Sequence, residues 1–249
     1  MENLDTLQQY IHTLLDIDAF SDYAPNGLQI QGKSDVKHIV TGVTASLALI
    51  EKAIELEADA LLVHHGYFWK GEDSRIIGMK HGRIARLIKN DISLLGYHLP
   101  LDAHPEFGNN AQLAKRFEIA FTENLDPEGV GKVGEFASPK SLADFSQEVE
   151  RILGRKPMVI AAGEHPIKSI AYCSGGAQGY ISFAIDKKVD AYLSGEISEK
   201  TVHEARETGV HYIAAGHHAT ERYGIKALGE HLASKFILKH TFVDIDNPA

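Results

Sequence analysis

Fourteen histidines stand in a chain of 249 residues that has only 25 lysines and arginines together. Five of them fall in three short motifs: His64-His65-Gly66, His98-Leu99-Pro100-Leu101-Asp102 and Gly216-His217-His218-Ala219-Thr220-Glu221. Imidazole and carboxylate without thiolate form the donor set of zinc, iron(II), manganese or nickel sites. The lone Cys173 cannot close an internal disulfide or build a thiolate cage. His217 and Glu221 are four residues apart and share one side of any helical turn. His98 and Asp102 have the same spacing, but Pro100 between them favours a loop. His64, His65, His98, Asp102, His217 and Glu221 are more donors than one tetrahedral ion takes. Two ions about 3.5–4 Å apart, bridged by a carboxylate and a water, would use them all. Adjacent histidines on a strand point to opposite faces, so one of His64 and His65 could instead pack. His218 reads as an orienting or surface residue. His12, His38, His81, His165, His211, His231 and His240 read as surface or packing histidines.

The elements that must position these donors alternate between strand and helix. Leu4, Leu7, Ile11, Leu14 and Leu15 follow helical spacing within Leu4–Phe20, and Ser21–Gly27 is a turn-rich loop before a short strand Leu28–Ile30. Strands are expected at His38–Val43, Ala60–Val63, Ile92–Tyr97 and Tyr212–Ala215. Helices are expected at Leu47–Glu57, Gly82–Lys89, Asn110–Phe117 and Ser141–Leu153. Each histidine motif directly follows a strand, and ligands in open α/β sheets bind outside the carboxyl ends of the strands. Glycines and prolines among the charges of residues 122–140 mark a linker or hairpin. Residues 38–65 slide by 131 positions onto 169–196 without a gap. Ile39 then meets Ile170, Ile50 meets Ile181, Asp59-Ala60 meets Asp190-Ala191, and His65 meets Glu196. At an offset of 119, His98 meets His217 and Asp102 meets Glu221. The expected fold is α/β, with two related halves, mostly parallel or mixed sheets flanked by helices, and a metal site at the strands' carboxyl ends between the halves. The halves are expected at 1–125, with His64, His65, His98 and Asp102, and at 126–249, with Glu196, His217 and Glu221.

The formal net charge is −9 and the pI about 5.8. A net-acidic chain without a basic cluster is a poor nucleic-acid binder, because binding draws on neutralised phosphates. No apolar run approaches the roughly 18–20 residues that span a bilayer. The N-terminal stretch carries Glu2, Asp5, Asp16 and Asp18 instead of a basic flank and apolar core, so the expected location is cytoplasmic.

Val63-His64-His65-Gly66, His98-Leu99-Pro100-Leu101-Asp102-Ala103 and Gly216–Glu221 carry a family resemblance. With Asn26-Gly27-Leu28-Gln29 upstream and Ser194-Gly195-Glu196 between, the chain resembles the GTP cyclohydrolase I type 2 family, the NIF-three-like proteins, and is similar to its short bacterial members. The resemblance covers nearly the whole chain in the same order. It implies a dinuclear metal site with His64, His65, Asp102, His217 and Glu221 as ligands, and a ring-like homohexamer. His98 joins the set through the internal repeat. Longer members carry an inserted domain for which the 122–140 segment leaves no room. Many members have proline after the paired histidines, where this chain has Gly66-Tyr67-Phe68-Trp69-Lys70.

The chemistry these features suggest is metal-assisted hydrolysis, with a bridging hydroxide attacking a nucleotide-like or cyclic amide substrate. Glu196 is the candidate general acid–base, or else the carboxylate that orients a ligand histidine. Tyr67, Phe68 and Trp69 could stack on a purine or pterin-like ring or serve as a lid or subunit contact. Gly42 and Gly175-Gly176 could cradle a phosphate or simply turn. A non-catalytic metal-binding, regulatory or metal-chaperone protein and an iron-dependent oxidoreductase are the alternatives.

Overall fold

A computed structural model describes residues Met1–Ala249, which divide into two compact units. The first comprises Met1–Leu101 and Gly224–Asp246, the second Asp102–Tyr223 and Asn247–Ala249. The division therefore differs from the expected 125/126 boundary. Two pairings explain it. Strand Lys239–Phe242 lies parallel to His38–Thr44 and closes the first sheet from the far end of the chain. Strand Ala120–Asn124 pairs with Lys132–Lys140 in the second sheet, so the segment read as a linker or hairpin is a hairpin within that unit.

The first unit holds a five-stranded sheet in the order Lys239–Phe242, His38–Thr44, Ala60–His65, Ser93–Gly96, Gly27–Ile30. The first four strands run parallel and the last is antiparallel. Alternation sends Ile39, Ala60, Leu62 and Leu95 to one face and Val40, Leu61, Val63 and Leu94 to the other. The first face is covered by helix Leu4–Leu15 through Leu4, Leu7, Ile11 and Leu15, and by Ile225, Leu228 and Leu232 of helix His217–Phe236. Helices Leu47–Glu55 and Gly78–Lys89 cover the second through Leu49, Ile50, Ala53, Ile84 and Leu87. With both faces buried, the central strands read as unbroken apolar runs. The N-terminal helix begins where Asn3 accepts from the Asp5 and Thr6 amides. It stops at Leu15, earlier than its apolar spacing suggests, because Asp16 turns left-handed at φ 49°.

The second unit holds a six-stranded sheet in the order Ala120–Asn124, Lys132–Lys140, Ile167–Cys173, Ala191–Ser194, His211–Ala214, Met158–Ile160. Its three middle-to-late strands, beginning at Ile167, Ala191 and His211, are parallel. Helices Asn109–Phe117 and Leu142–Leu153 pack Leu113, Phe117, Phe145, Val149 and Leu153 on Ile170, Tyr172, Leu193 and Ile213. Both units are thus mixed sheets flanked by helices, an α/β fold, and no helix is long and apolar enough to cross a membrane.

The repeat survives at the level of single hydrogen bonds. Ile39 pairs with Ala60 in the first sheet, and Ile170 pairs with Ala191 in the second, each shifted by 131. Asp59 Oδ2 accepts from the amides of Lys37 and His38, at 2.9 and 3.1 Å. Asp190 Oδ2 accepts from those of Lys168 and Ser169, at 2.9 and 2.7 Å. The same aspartate opens the same strand twice. In each sheet an antiparallel strand also flanks the last parallel one, Ser93–Gly96 in the first and His211–Ala214 in the second.

Candidate metal centre

In the first unit, strand Ala60–His65 ends on the paired histidines, and strand Ser93–Gly96 leads into His98. One ring nitrogen from each of His64, His65 and His98 lies within 4.8 Å of the others. His64 is buried, and its Nδ1 donates to the Tyr97 carbonyl at 2.9 Å, so in the neutral ring Nε2 carries the lone pair. His65 Nδ1 meets the Thr44 hydroxyl at 3.1 Å. His98 Nδ1 donates to Asp22 Oδ1 at 2.7 Å, which fixes its tautomer in the same sense. The neighbours on one strand are thus not split between core and site: both join the cluster, with ring centroids 4.6 Å apart.

The loop before strand Gly27–Ile30 holds this cluster in place. Asp22 Oδ2 accepts from the Leu99 amide and from Asn26 Nδ2, both at 2.9 Å, while Asn26 Oδ1 accepts from the His98 amide at 2.8 Å. Burial opposes ionisation of Asp22, but the hydrogen bond and charge of His98, with Asn26 and the Leu99 amide, outweigh it and bring the carboxyl down to about 2. Gln29 Oε1 accepts from the Tyr67 amide at 2.8 Å. A Cβ on Gly66 would lie 2.1 Å from that oxygen, so a larger residue after the paired histidines would have to displace the Gln29 amide. Trp69 is the aromatic residue that borders the cluster, its ring edge-on to His98 at 4.9 Å. Tyr67 is buried in the core and donates to the Ala45 carbonyl at 2.6 Å, and Phe68 is partly exposed beneath Lys80. Tyr67 is therefore withdrawn from any stacking role. Gly42 lies against Leu49, where a Cβ would come within 2.5 Å of its side chain, so close packing rather than a phosphate cradle explains it.

The second unit gathers Asp102, Glu196, His217 and Glu221. A short helix, Leu99–Ala103, starts directly after His98 and contains Asp102, where a loop was expected: Pro100 sits in the first turn, whose amides need no helical partner. Asp102 is 4% exposed and accepts from Asn109 Nδ2 at 2.8 Å and from Ser174 Oγ at 3.0 Å. Glu221 is 3% exposed, and an oxygen of each carboxylate lies within 4.8 Å of one from the other. His217 and Glu221 share the first turn of helix His217–Phe236, as their spacing predicts, with Nε2 3.2 Å from Glu221 Oε2. On its other side His217 Nδ1 lies 2.7 Å from Glu196 Oε1. Burial opposes protonation of His217, but its bonds to Glu221 and Glu196 and their charges raise it to about 9. Glu196 Oε2 also accepts from Gln178 Nε2 at 3.3 Å.

Gly175, at φ +65°, passes so close that a Cβ would lie 2.1 Å from Glu221 Oε1 and 3.2 Å from His217 Nε2. The Gly175-Gly176 pair thus makes room for these two side chains, and this is its role in place of a phosphate cradle. Cys173 is buried, and burial with the nearby charges of Asp102, Asp126 and Glu221 pushes its thiol well above the usual range, which keeps it out of ligand chemistry. His218 is buried too, and its amide donates to the Ala249 carbonyl at 3.3 Å.

The first unit thus presents a group of three histidines, and the second presents Glu221 beside Asp102 and His217, all donors suited to metal ions. Sequence reasoning missed Asp22, Asn109 and Ser174. Asp22 sits in a loop legible only as a turn, and the one signal near it was the motif Asn26-Gly27-Leu28-Gln29, four residues on. Two buried carboxylates at this separation repel each other and favour a cation beside them. The oxygen and imidazole donors suit a borderline divalent metal.

Comparisons with known proteins give the family. The DUF34/NIF3 family (NGG1p interacting factor 3) matches residues 2–248. A Pseudomonas aeruginosa protein named "GTP cyclohydrolase 1 type 2 homolog" is 54% identical over 249 residues, covering 99% of this chain and 98% of that protein. A Haemophilus influenzae protein of the same name is 55% identical over 255 residues and covers both chains completely. A solved structure described as "Structural genomics, protein ybgI, unknown function" superposes with a TM-score of 0.97 at 50% identity over the whole of both chains. Matched along almost its whole length, this chain belongs to the DUF34/NIF3 family.

Proposed function

We propose that the protein is a dinuclear metal-dependent hydrolase whose histidine and carboxylate donors hold two divalent cations of iron, zinc, manganese or nickel. His64, His65, His98, Asp102, His217 and Glu221 are the ligands. The observation that carries this reading is the donor set itself. Three imidazoles meet in one unit, in the other the buried Glu221 lies close to both the buried Asp102 and His217, and the motifs that carry them follow parallel strands. Two such cations supply an acidified water and stabilise negative charge developing on a carbonyl or phosphoryl oxygen.

The chain's own residues do the rest. Asp102 and Glu221 bring negative charge to the cations, and Asn109 and Ser174 hold Asp102 in one orientation. Asp22 and Glu196 each hold the Nδ1 of one histidine, which would leave Nε2 to bind a metal. Glu196 Oε2 is the oxygen placed to pass a proton to a leaving group. The name shared by the relatives favours a nucleotide-like or cyclic amide substrate. A cytoplasmic homohexamer belongs to the same reading. It is supported by the family resemblance and by the exposed apolar side chains of Phe68, Ile76, Ile77 and Met79, and sedimentation at working concentration tests it.

The test is metal content and turnover, measured on protein purified without chelators against GTP and a panel of cyclic amides. His217→Ala should lose both metal and turnover, while Glu196→Gln should keep the metal and lose roughly 100-fold in rate, the usual weight of a general acid–base. One observation favours a non-catalytic metal-binding protein instead: both oxygens of Glu196 are already engaged, by His217 and by Gln178. Full metal content with no turnover across the panel would select that second reading.

A further inference from the structure

The second unit has a cavity of about 580 Å³ whose wall includes Arg155, Lys156, Met158, Gly195, Glu196 and Ala214. That size suits a small-molecule ligand. Its position follows from the fold. Gly154, left-handed at φ +66°, ends helix Leu142–Leu153, and strand Met158–Ile160 pairs antiparallel with His211–Ala214, Met158 opposite Ala214. The loop Gly154-Arg155-Lys156-Pro157 is thereby carried past the carboxyl end of the strand that leads into His217. Gly216, the residue before His217, has φ +102°, and a Cβ there would lie 2.1 Å from Arg155 Nη1 and 3.0 Å from Cζ. The guanidinium therefore lies across the bare backbone next to a proposed metal ligand. Glu196 joins the two places, since it lines the cavity and bonds to His217 Nδ1.

The charge of this wall is unusual for the molecule. The chain carries a net charge of −9, yet two consecutive cations face one cavity. Neither forms an ion pair, whereas at least ten other lysines and arginines do. Two carboxylates share the wall: Glu196, occupied by His217 and Gln178, and the terminal one of Ala249, whose carbonyl oxygen accepts from the His218 amide. A planar guanidinium beside an ammonium suits a phosphate group, the first by a two-pronged contact and the second as a point charge. The start of helix His217–Phe236 adds a favourable backbone field for an anion nearby.

We infer that Arg155 and Lys156 form a phosphate-binding subsite that holds the phosphate end of a nucleotide-like substrate beside His217 and Glu196. This inference rests on the proposed hydrolase reading for its substrate class, and its test is independent of turnover. Calorimetric titration of GTP and of guanosine into the full-length protein, with metal content measured on the same samples, separates phosphate recognition from base recognition. GTP should bind more tightly than guanosine. Arg155→Ala and the exposed Lys156→Ala should each weaken GTP about tenfold or more, the usual weight of a charge-assisted hydrogen bond, leaving guanosine and metal content unchanged. Arg155→Lys, which keeps the charge, should recover part of the loss. GTP affinity equal in wild type and both alanine variants would overturn the inference. So would equal losses for guanosine, or no GTP binding by the wild type. GTP binding that depends on Arg155 and Lys156 in protein lacking turnover would retain the subsite and reject the hydrolase.

Discussion

Two histidines in the protein are gripped in the same way, each by a carboxylate 2.7 Å from Nδ1: His98 by Asp22 and His217 by Glu196. In both, the carboxylate holds the Nδ1 proton and makes the opposite nitrogen more basic, the arrangement that strengthens an imidazole once a metal takes the place of the proton there. The aspartate also ties down the Leu99 amide and Asn26, so its loss frees a loop as well as a ring. Asp22→Ala should therefore lower metal affinity by about 10- to 100-fold with the fold retained, as measured by competition with a chromophoric chelator. Wild-type affinity in that variant would show that His98 takes no part in holding metal.

At the level of elements, the repeated aspartate is the clearest sign of common construction. Asp190 Oδ2 serves the amides of Lys168 and Ser169 and the Ser169 hydroxyl. Asp59 serves the equivalent amides and Lys33 Nζ. Removing either leaves backbone donors at a strand's start without their acceptor, so Asp59→Ala and Asp190→Ala should each cost about 2 kcal/mol in urea unfolding. A change below about 0.5 kcal/mol at both would deny the two residues a shared structural role. The strand-and-helix rhythm, the strand-end positions of the histidine motifs and the helical pairing of His217 with Glu221 could be read from spacing alone, because those are local patterns. The domain division could not. It depends on Lys239–Phe242 reaching back to His38–Thr41, and nothing in the four residues of that strand specifies so distant a partner. The roles of Gly66 and Gly175 were equally hidden, since each is set by a side chain far away in sequence, Gln29 in one case and Glu221 in the other. Tyr67-Phe68-Trp69 looked like one aromatic feature, but backbone geometry separates it into a core residue, an exposed residue and a neighbour of His98.

Across the whole molecule, histidines outside the metal groups govern the response to acid. His211 is buried and committed to one neutral tautomer: Nδ1 accepts from the Ala162 amide, and Nε2 donates to the His165 carbonyl, both at 3.0 Å. Burial holds it below the usual 6.5, and burial likewise lowers His38 and His240. The unfolded chain then binds more protons than the folded one just below pH 6.5. The stability these groups contribute is complete above that value and is lost as the pH falls through their lower folded values. His217 acts in the opposite sense, its contribution complete below 6.5 and lost as the pH rises through about 9. Thermal unfolding of chelator-treated protein should therefore weaken from pH 6.5 downward, and His211→Gln, though less stable throughout, should show a shallower fall. An unchanged slope in that variant would remove His211 from the account.

The central claim is that six histidine and carboxylate donors serve two cations. Anomalous diffraction at the iron, zinc, manganese and nickel edges, from crystals of protein purified without chelators, tests it directly. The account predicts two peaks per chain, in contact with His64, His65, His98, Asp102, His217 and Glu221. A single peak, no peak, or peaks bound elsewhere would contradict it.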